Sequence, residues 1–347
     1  MGVRISAHRA HDIDPTFGLC SADQARVMAR VAYSDSVSFE SAAASVTKEA
    51  ISRRAAILRS LLRAQKRALS KVDTPIPELR RHLTRIEPFV PGRRKYTEMA
   101  PVDANGVPAM RVAVAGSRSD RCILYFHGGG YAVGTAALYR DFLWRVAEAA
   151  RAQVLYFDYR LAPEHPFPAA LDDAVNAYRW VASRYDCRHV AFFGDSAGGG
   201  LVFAAMLKLR DEGLALPGAA VALSPWTDLT MSGASWKSNA AADPMMDAAK
   251  IPQLALNYAG EADPEHPYVS PIFGNADGLP STLIHCGSDE ILRDDSIRMA
   301  DKMRSARCDV KIEVWPKMPH VWQLYARILP EGRAAIARIG KFLRDRI

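Results

Sequence analysis

Long apolar runs are missing from this 347-residue chain: no stretch approaches the ~20 residues a helix needs to cross a bilayer. No membrane span is therefore expected. The opening residues Met1-Gly2-Val3-Arg4-Ile5-Ser6 lack the apolar centre of a secretion signal. They do fit the short myristoylation pattern, which has meaning only in a eukaryotic host. Cysteine is scarce. Cys20, Cys122, Cys187, Cys286 and Cys308 are odd in number, far apart and never arranged as Cys-x-x-Cys, so neither a disulfide framework nor a zinc site is expected. A reducing cytoplasm is the expected location. Internal repeats, low-complexity tracts and nucleic-acid motifs are absent as well.

What is present is apolar mass and positive charge. Hydrophobic residues make up 49% and charged residues 24%, enough to bury one large core with accessory elements around it. The net charge of +7 is uneven, because basic residues crowd the stretch from Lys48 to Lys95, among them Arg53, Arg54, Arg59, Arg63, Lys66, Arg67, Arg80, Arg81, Arg93 and Arg94. A solvated helix face is the preferred reading over a surface for nucleic acid, and peripheral contact with anionic lipid is left open.

The chain changes character near residue 95. Before it, Ile51, Ala55, Leu58 and Leu62 recur at helical spacing and predict an amphipathic helix within Phe39 to Lys71, broken by Asp73-Thr74-Pro75-Ile76-Pro77. Residues before Phe39 show no clear pattern. After residue 95, short β-rich runs alternate with helical stretches. Strands are expected at Cys122 to Phe126, Val154 to Tyr159, His189 to Phe193, Ala219 to Leu223, Thr282 to Cys286 and Val310 to Val314. Helices are expected at Tyr139 to Ala152, Ala169 to Tyr185, Gly198 to Glu212 and Asp295 to Arg307. This alternation predicts an α/β fold with a mostly parallel sheet covered by helices on both faces. An edge at Val310 to Val314 would leave room for a homodimer.

Chemistry enters at Gly194-Asp195-Ser196-Ala197-Gly198, a G-x-S-x-G pattern between an expected strand and an expected helix. A serine on so tight a turn tolerates only small neighbours, and the glycines supply them. Upstream, His127-Gly128-Gly129-Gly130-Tyr131 follows the apolar run Ile123-Leu124-Tyr125-Phe126. Successive glycines let backbone N–H groups approach a reacting oxygen, so Gly128, Gly129 and the N–H of Ala197 are the expected oxyanion donors. No Lys-Ser/Thr pair follows, which excludes a P-loop. His127 and Asp195 are read as supporting groups.

These motifs, with the run from Asp158 to Ala170 (Asp-Tyr-Arg-Leu-Ala-Pro-Glu-His-Pro-Phe-Pro-Ala-Ala) and the late Pro319-His320, resemble the hormone-sensitive-lipase-like family of α/β-hydrolases from about residue 95 onward. The resemblance implies an α/β-hydrolase core at 96–347, a cap built from residues 1–95 and an insertion at about 227–266, scaffold roles for Arg160 and Glu164, and a carboxylesterase activity.

A serine hydroxyl needs a histidine base, and the histidine needs a carboxylate partner. His320 follows the last expected strand and comes last in the order Ser, acid, His, so it is the expected base; His285 lies within an expected strand and reads as core. The family's Asp-Pro-Leu-Arg-Asp motif, laid on this chain without a gap, covers Glu290-Ile291-Leu292-Arg293-Asp294. That register favours Glu290 as the acid, with Asp289 as the alternative. The expected reaction is hydrolysis of a small, short-chain acyl ester through an acyl-enzyme, with no metal or organic cofactor. Lactone, carbamate or amide hydrolysis by the same residues is the alternative, and a non-catalytic small-molecule receptor on the same fold is disfavoured by the presence of His320.

Overall fold

The computed structural model describes residues 45–46, 51–87, 90 and 97–347. The chain start with Cys20, most of 39–50 including Lys48, and the group Arg93, Arg94 and Lys95 lie outside the described residues. In chain order the elements are β1 (Ser45–Val46), α1 (Arg53–Leu69), α2 (Ile76–Ile86), β2 (Glu98–Asp103), β3 (Pro108–Ala113), β4 (Arg118–Phe126), α3 (Ala136–Ala150), β5 (Ala152–Phe157), α4 (Ala169–Ala182), β6 (Val190–Asp195), α5 (Ala197–Asp211), β7 (Ala219–Leu223), α6 (Ser235–Ser238), α7 (Ile251–Ala259), β8 (Ser281–Gly287), α8 (Arg293–Ser305), β9 (Val310–Trp315) and α9 (Pro330–Arg344).

Among the described residues nine strands form one sheet in the order β1-β9-β8-β7-β6-β4-β5-β3-β2. Only β3 runs against its neighbours β2 and β5. The central strands are apolar where both faces are covered, as at Cys122 to Phe126 of β4 and Ala219 to Leu223 of β7. Side chains alternate between two cores: Cys122, Leu124 and Phe126 of β4 join α4, α5 and α8 on one face, whereas Ile123 and Tyr125 join α3 and α9 on the other. The same period of two splits Val190 and Phe192 from Ala191 and Phe193 in β6.

The helix expected within Phe39 to Lys71 is α1, capped by Ser52, which accepts the N–H of Ala55 at 3.1 Å. It ends before the proline-rich stretch, as expected, and Pro75 and Pro77 then start α2, where a missing N–H carries no penalty. One expectation needs correction. The strand at Val310 is no free edge, because β1 pairs with β9 through Ser45 with Glu313 and Val46 with Val314. The β2–β3 hairpin and the helices α7 and α9 were not expected. Pro101 is tolerated in β2 because that strand lies at the border of the sheet.

The basic N-terminal stretch is only partly a solvated face. Arg53, Arg54, Arg67 and Arg81 are exposed, but Arg59 is buried and Arg80 reaches the carbonyls of Ala132 and Ala162 and the carboxylate of Glu164. Lys66 donates to the carbonyls of Ala240 and Asp243, both at 3.0 Å. The apolar side of α1, Ala55, Leu58 and Leu62, packs on Trp315, Met318, Trp322 and Leu329.

Candidate active site

Five adjacent strands, β9, β8, β7, β6 and β4, release their C-terminal ends side by side, the usual position for function in an open parallel sheet. From β6 the chain turns sharply at Ser196, whose backbone sits at φ 55° and ψ −124° before α5 begins at Ala197. Small neighbours make that turn possible: a Cβ on Gly194 would lie 2.4 Å from the carbonyl oxygen of Gly198, and one on Gly198 would lie 2.1 Å from that of Phe126. The Ser196 N–H donates to the Leu223 carbonyl at 2.8 Å, which fixes the turn to the end of β7.

The loops after β8 and β9 bring Glu290 and His320 together. His320 Nδ1 lies 2.9 Å from Glu290 Oε2, and both side chains are buried. Glu290 Oε1 accepts the hydroxyl of Ser224 at 2.8 Å and the N–H of Gly287, so the carboxylate is fixed at both oxygens. Burial disfavours a charged imidazole, yet the hydrogen bond and charge of Glu290, aided by Asp243 and Asp195, hold the pKa of His320 above the ordinary histidine value. Ser224 Oγ also accepts the N–H of Val321 at 3.3 Å. One hydroxyl at the end of β7 thus joins the acid loop to the residue after His320, next to the strand end that holds Ser196. Asp289, the alternative acid, does not meet His320: it pairs with Arg59 at 2.6 Å.

The glycine loop differs from expectation at one residue. The Gly128 N–H already donates to Asp195 Oδ1 and to the Tyr139 hydroxyl, both at 3.0 Å, so it anchors the loop and is not free to meet an oxyanion. Among the described residues the amides of Gly129, Gly130 and Ala197 have no hydrogen-bond acceptor. His127 is buried between rings, its plane 4.1 Å and 8° from Tyr159, and burial pulls its pKa down to about 4. It is a neutral brace, with Nδ1 2.8 Å from the Gly128 carbonyl oxygen.

A family profile described as the α/β hydrolase fold matches residues 123–324. The chain belongs to that family. Its place within the α/β-hydrolases is set by solved structures: an esterase from the bacterial hormone-sensitive lipase family superposes with a TM-score of 0.81 at 41% identity, covering 86% of this chain and 100% of that one. EstE5, in a crystal soaked with p-nitrophenyl butyrate, gives 0.80 at 39% identity over 85% of this chain and 99% of that one. An acetyl-hydrolase of Streptomyces hygroscopicus is 45% identical over 226 residues, 65% of this chain and 75% of the relative. This α/β-hydrolase is therefore of the hormone-sensitive-lipase-like branch and is a carboxylesterase- or lipase-like enzyme. Among the described residues no helix is long and apolar enough to cross a membrane.

The sequence left several site residues of this hydrolase unmarked. Tyr125 and Tyr139 donate to Asp195 at 2.6 and 3.1 Å. From the segment between β7 and α7, Asn239 donates to the carbonyls of Ser288 and Glu290, and Asp243 accepts the N–H of Ile291 at 3.0 Å, so that segment holds the loop carrying Glu290. Tyr258 of α7 stacks on Tyr131 at 3.5 Å and braces the far end of the glycine loop. The four-residue spacing of Ser235, Asn239 and Asp243 was the only readable hint. Arg160 and Glu164 make scaffold pairs, with Asp173 and Arg80 respectively.

Proposed function

We propose that this enzyme hydrolyses short-chain acyl esters with Ser196 as nucleophile, His320 as base and Glu290 as the acid that orients it. The Ser196 hydroxyl attacks the ester carbonyl carbon while His320 Nε2 takes the proton, and Glu290 keeps Nδ1 protonated and stabilises the imidazolium. The tetrahedral oxyanion is held by the amides of Gly129, Gly130 and Ala197. Collapse breaks the carbon–oxygen bond to the alcohol, which leaves with the proton from His320. Water then attacks the acyl-enzyme, again giving its proton to His320, and releases the carboxylic acid and free Ser196.

The observation that carries this reading is the buried 2.9 Å contact between His320 and Glu290, on loops adjoining the strand end that holds the strained Ser196 turn. Short acyl groups fit a relative named for acetyl hydrolysis and a neighbour soaked with a butyrate ester. Ser196→Ala is expected to abolish p-nitrophenyl butyrate hydrolysis and fluorophosphonate labelling while the protein stays folded; retained turnover would refute the reading. A panel of p-nitrophenyl esters should peak at acetate or butyrate, and an optimum at long chains would refute the substrate class.

A further inference from the structure

Arg59 of α1 is charged, yet only 6% exposed. Its Nη2 donates to Asp289 Oδ2 at 2.6 Å and its Nη1 donates to the carbonyl of Lys317. The remaining oxygen of Asp289 accepts the hydroxyl of Ser288 at 2.7 Å, and that same hydroxyl oxygen accepts the Lys317 N–H at 2.8 Å. The four residues close a ring. Two of them, Ser288 and Asp289, lead directly into Glu290, and Lys317 lies in the short turn that leads to His320.

Helix α1 already docks through Ala55, Leu58 and Leu62, so attachment alone does not call for a buried cation there. Removing a guanidinium from water is costly, and apolar residues of similar volume commonly hold a helix as well. What a planar fork adds is direction: two donors in fixed geometry set the separation of the two groups they bind. We infer that Arg59 is a positioning residue that fixes the acid loop against the base loop, and that Asp289 serves as its anchor. This rests on the proposed roles of Ser196, His320 and Glu290. The consequence is that a helix about 230 residues away in sequence sets the distance across which Glu290 orients His320.

The test measures kcat and KM on p-nitrophenyl butyrate, with folding monitored by near-ultraviolet circular dichroism. Misplacing a catalytic group by about 1 Å lowers turnover about 100-fold, so Arg59→Ala is expected to lose kcat on that scale with KM little changed. Asp289→Asn, which preserves size and leaves Arg59 on the Lys317 carbonyl, is expected to show the same kind of loss. The double variant should be no worse than Arg59→Ala alone, because both break one ring. Arg59→Lys, a point charge without the fork, should recover part of kcat. Leu58→Ala weakens the same helix without touching the ring and is expected to lower Tm while keeping kcat. If Leu58→Ala loses as much turnover as Arg59→Ala, helix docking alone explains the effect and the clamp is overturned. It is overturned too if Arg59→Ala keeps wild-type kcat while Ser196→Ala is inactive, an outcome that leaves the triad standing. A fully active Ser196→Ala protein would instead remove the triad, and the clamp with it.

Discussion

The N–H of Gly128 donates to Oδ1 of Asp195 across 3.0 Å, so the residue beside Ser196 holds the start of the glycine loop. Tyr125 and Tyr139 complete the shell of that carboxylate. Asp195 therefore sets how close the amides of Gly129 and Gly130 stand to Ser196.

Replacing that carboxylate tests the link directly. Asp195→Asn keeps the size but leaves one acceptor oxygen where three donors converge, so the loop must shift. A fall in kcat of up to about 100-fold on p-nitrophenyl butyrate is expected, with a smaller fall for Tyr139→Phe. Wild-type kcat in Asp195→Asn would show that the loop holds its place without this bond.

Two buried neighbours have opposite pH dependence. Burial pulls His127 from 6.5 down to about 4, so the unfolded chain binds the extra proton first. Stability from His127 is complete above pH 6.5 and is lost as pH falls toward 4, roughly 3 kcal/mol in all. Burial pushes Asp195 from 3.8 up to about 6 despite its hydrogen bonds, and its contribution is complete below pH 3.8 and lost as pH rises toward 6, again roughly 3 kcal/mol. The two oppose each other between pH 4 and 6. Relative to wild type, His127→Gln should lose stability as pH rises through that window, and Asp195→Asn as pH falls through it. Urea unfolding at several pH values measures both slopes, and variants that run parallel to wild type would sink the argument.

The acid is identified by the pH profile. Because Glu290 raises the pKa of His320 against the effect of burial, Glu290→Gln should move the acidic limb of kcat/KM to lower pH and reduce the plateau by about 10⁴-fold. Asp289→Asn, which loosens the clamp but keeps the Glu290 carboxylate, should move the limb less than Glu290→Gln does. A limb that moves only with Asp289→Asn would assign the acid role to Asp289.

The turn around Ser196 leaves no space for one more methyl group. A Cβ on Gly198 would meet the carbonyl oxygens of Phe126 and His127 at 2.1 and 2.4 Å, and neither belongs to a flexible side chain. Gly198→Ala is expected to lower Tm by roughly 4–5 °C, from overpacking of about 3 kcal/mol, and to lose most activity. Unchanged thermal melting would contradict the packing described.

Much of this was legible in sequence where physics acts locally. The runs Ile123 to Phe126 and Val190 to Phe193 are apolar because both faces are covered, and glycines stand next to Ser196 because the turn admits nothing larger. Hidden were relationships that depend on distant chain. The expectation that Gly128 donates to an oxyanion failed because its N–H is taken by Asp195, 67 residues on. Ser224 looks like any strand-end serine until Glu290 and Val321 converge on it. The β2–β3 hairpin escaped notice because its half-exposed residues and Pro101 weaken the strand pattern. Arg59 sits in a run of cations, and composition does not distinguish the buried one.

Among the described residues Ser45 and Val46, lying along β9, border the sheet on the side of His320. A chain shortened past them would bare the backbone N–H and C=O groups of β9 on that flank, a template on which a second molecule's strand can grow. The same short segment that borders the sheet is therefore also a guard against aggregation.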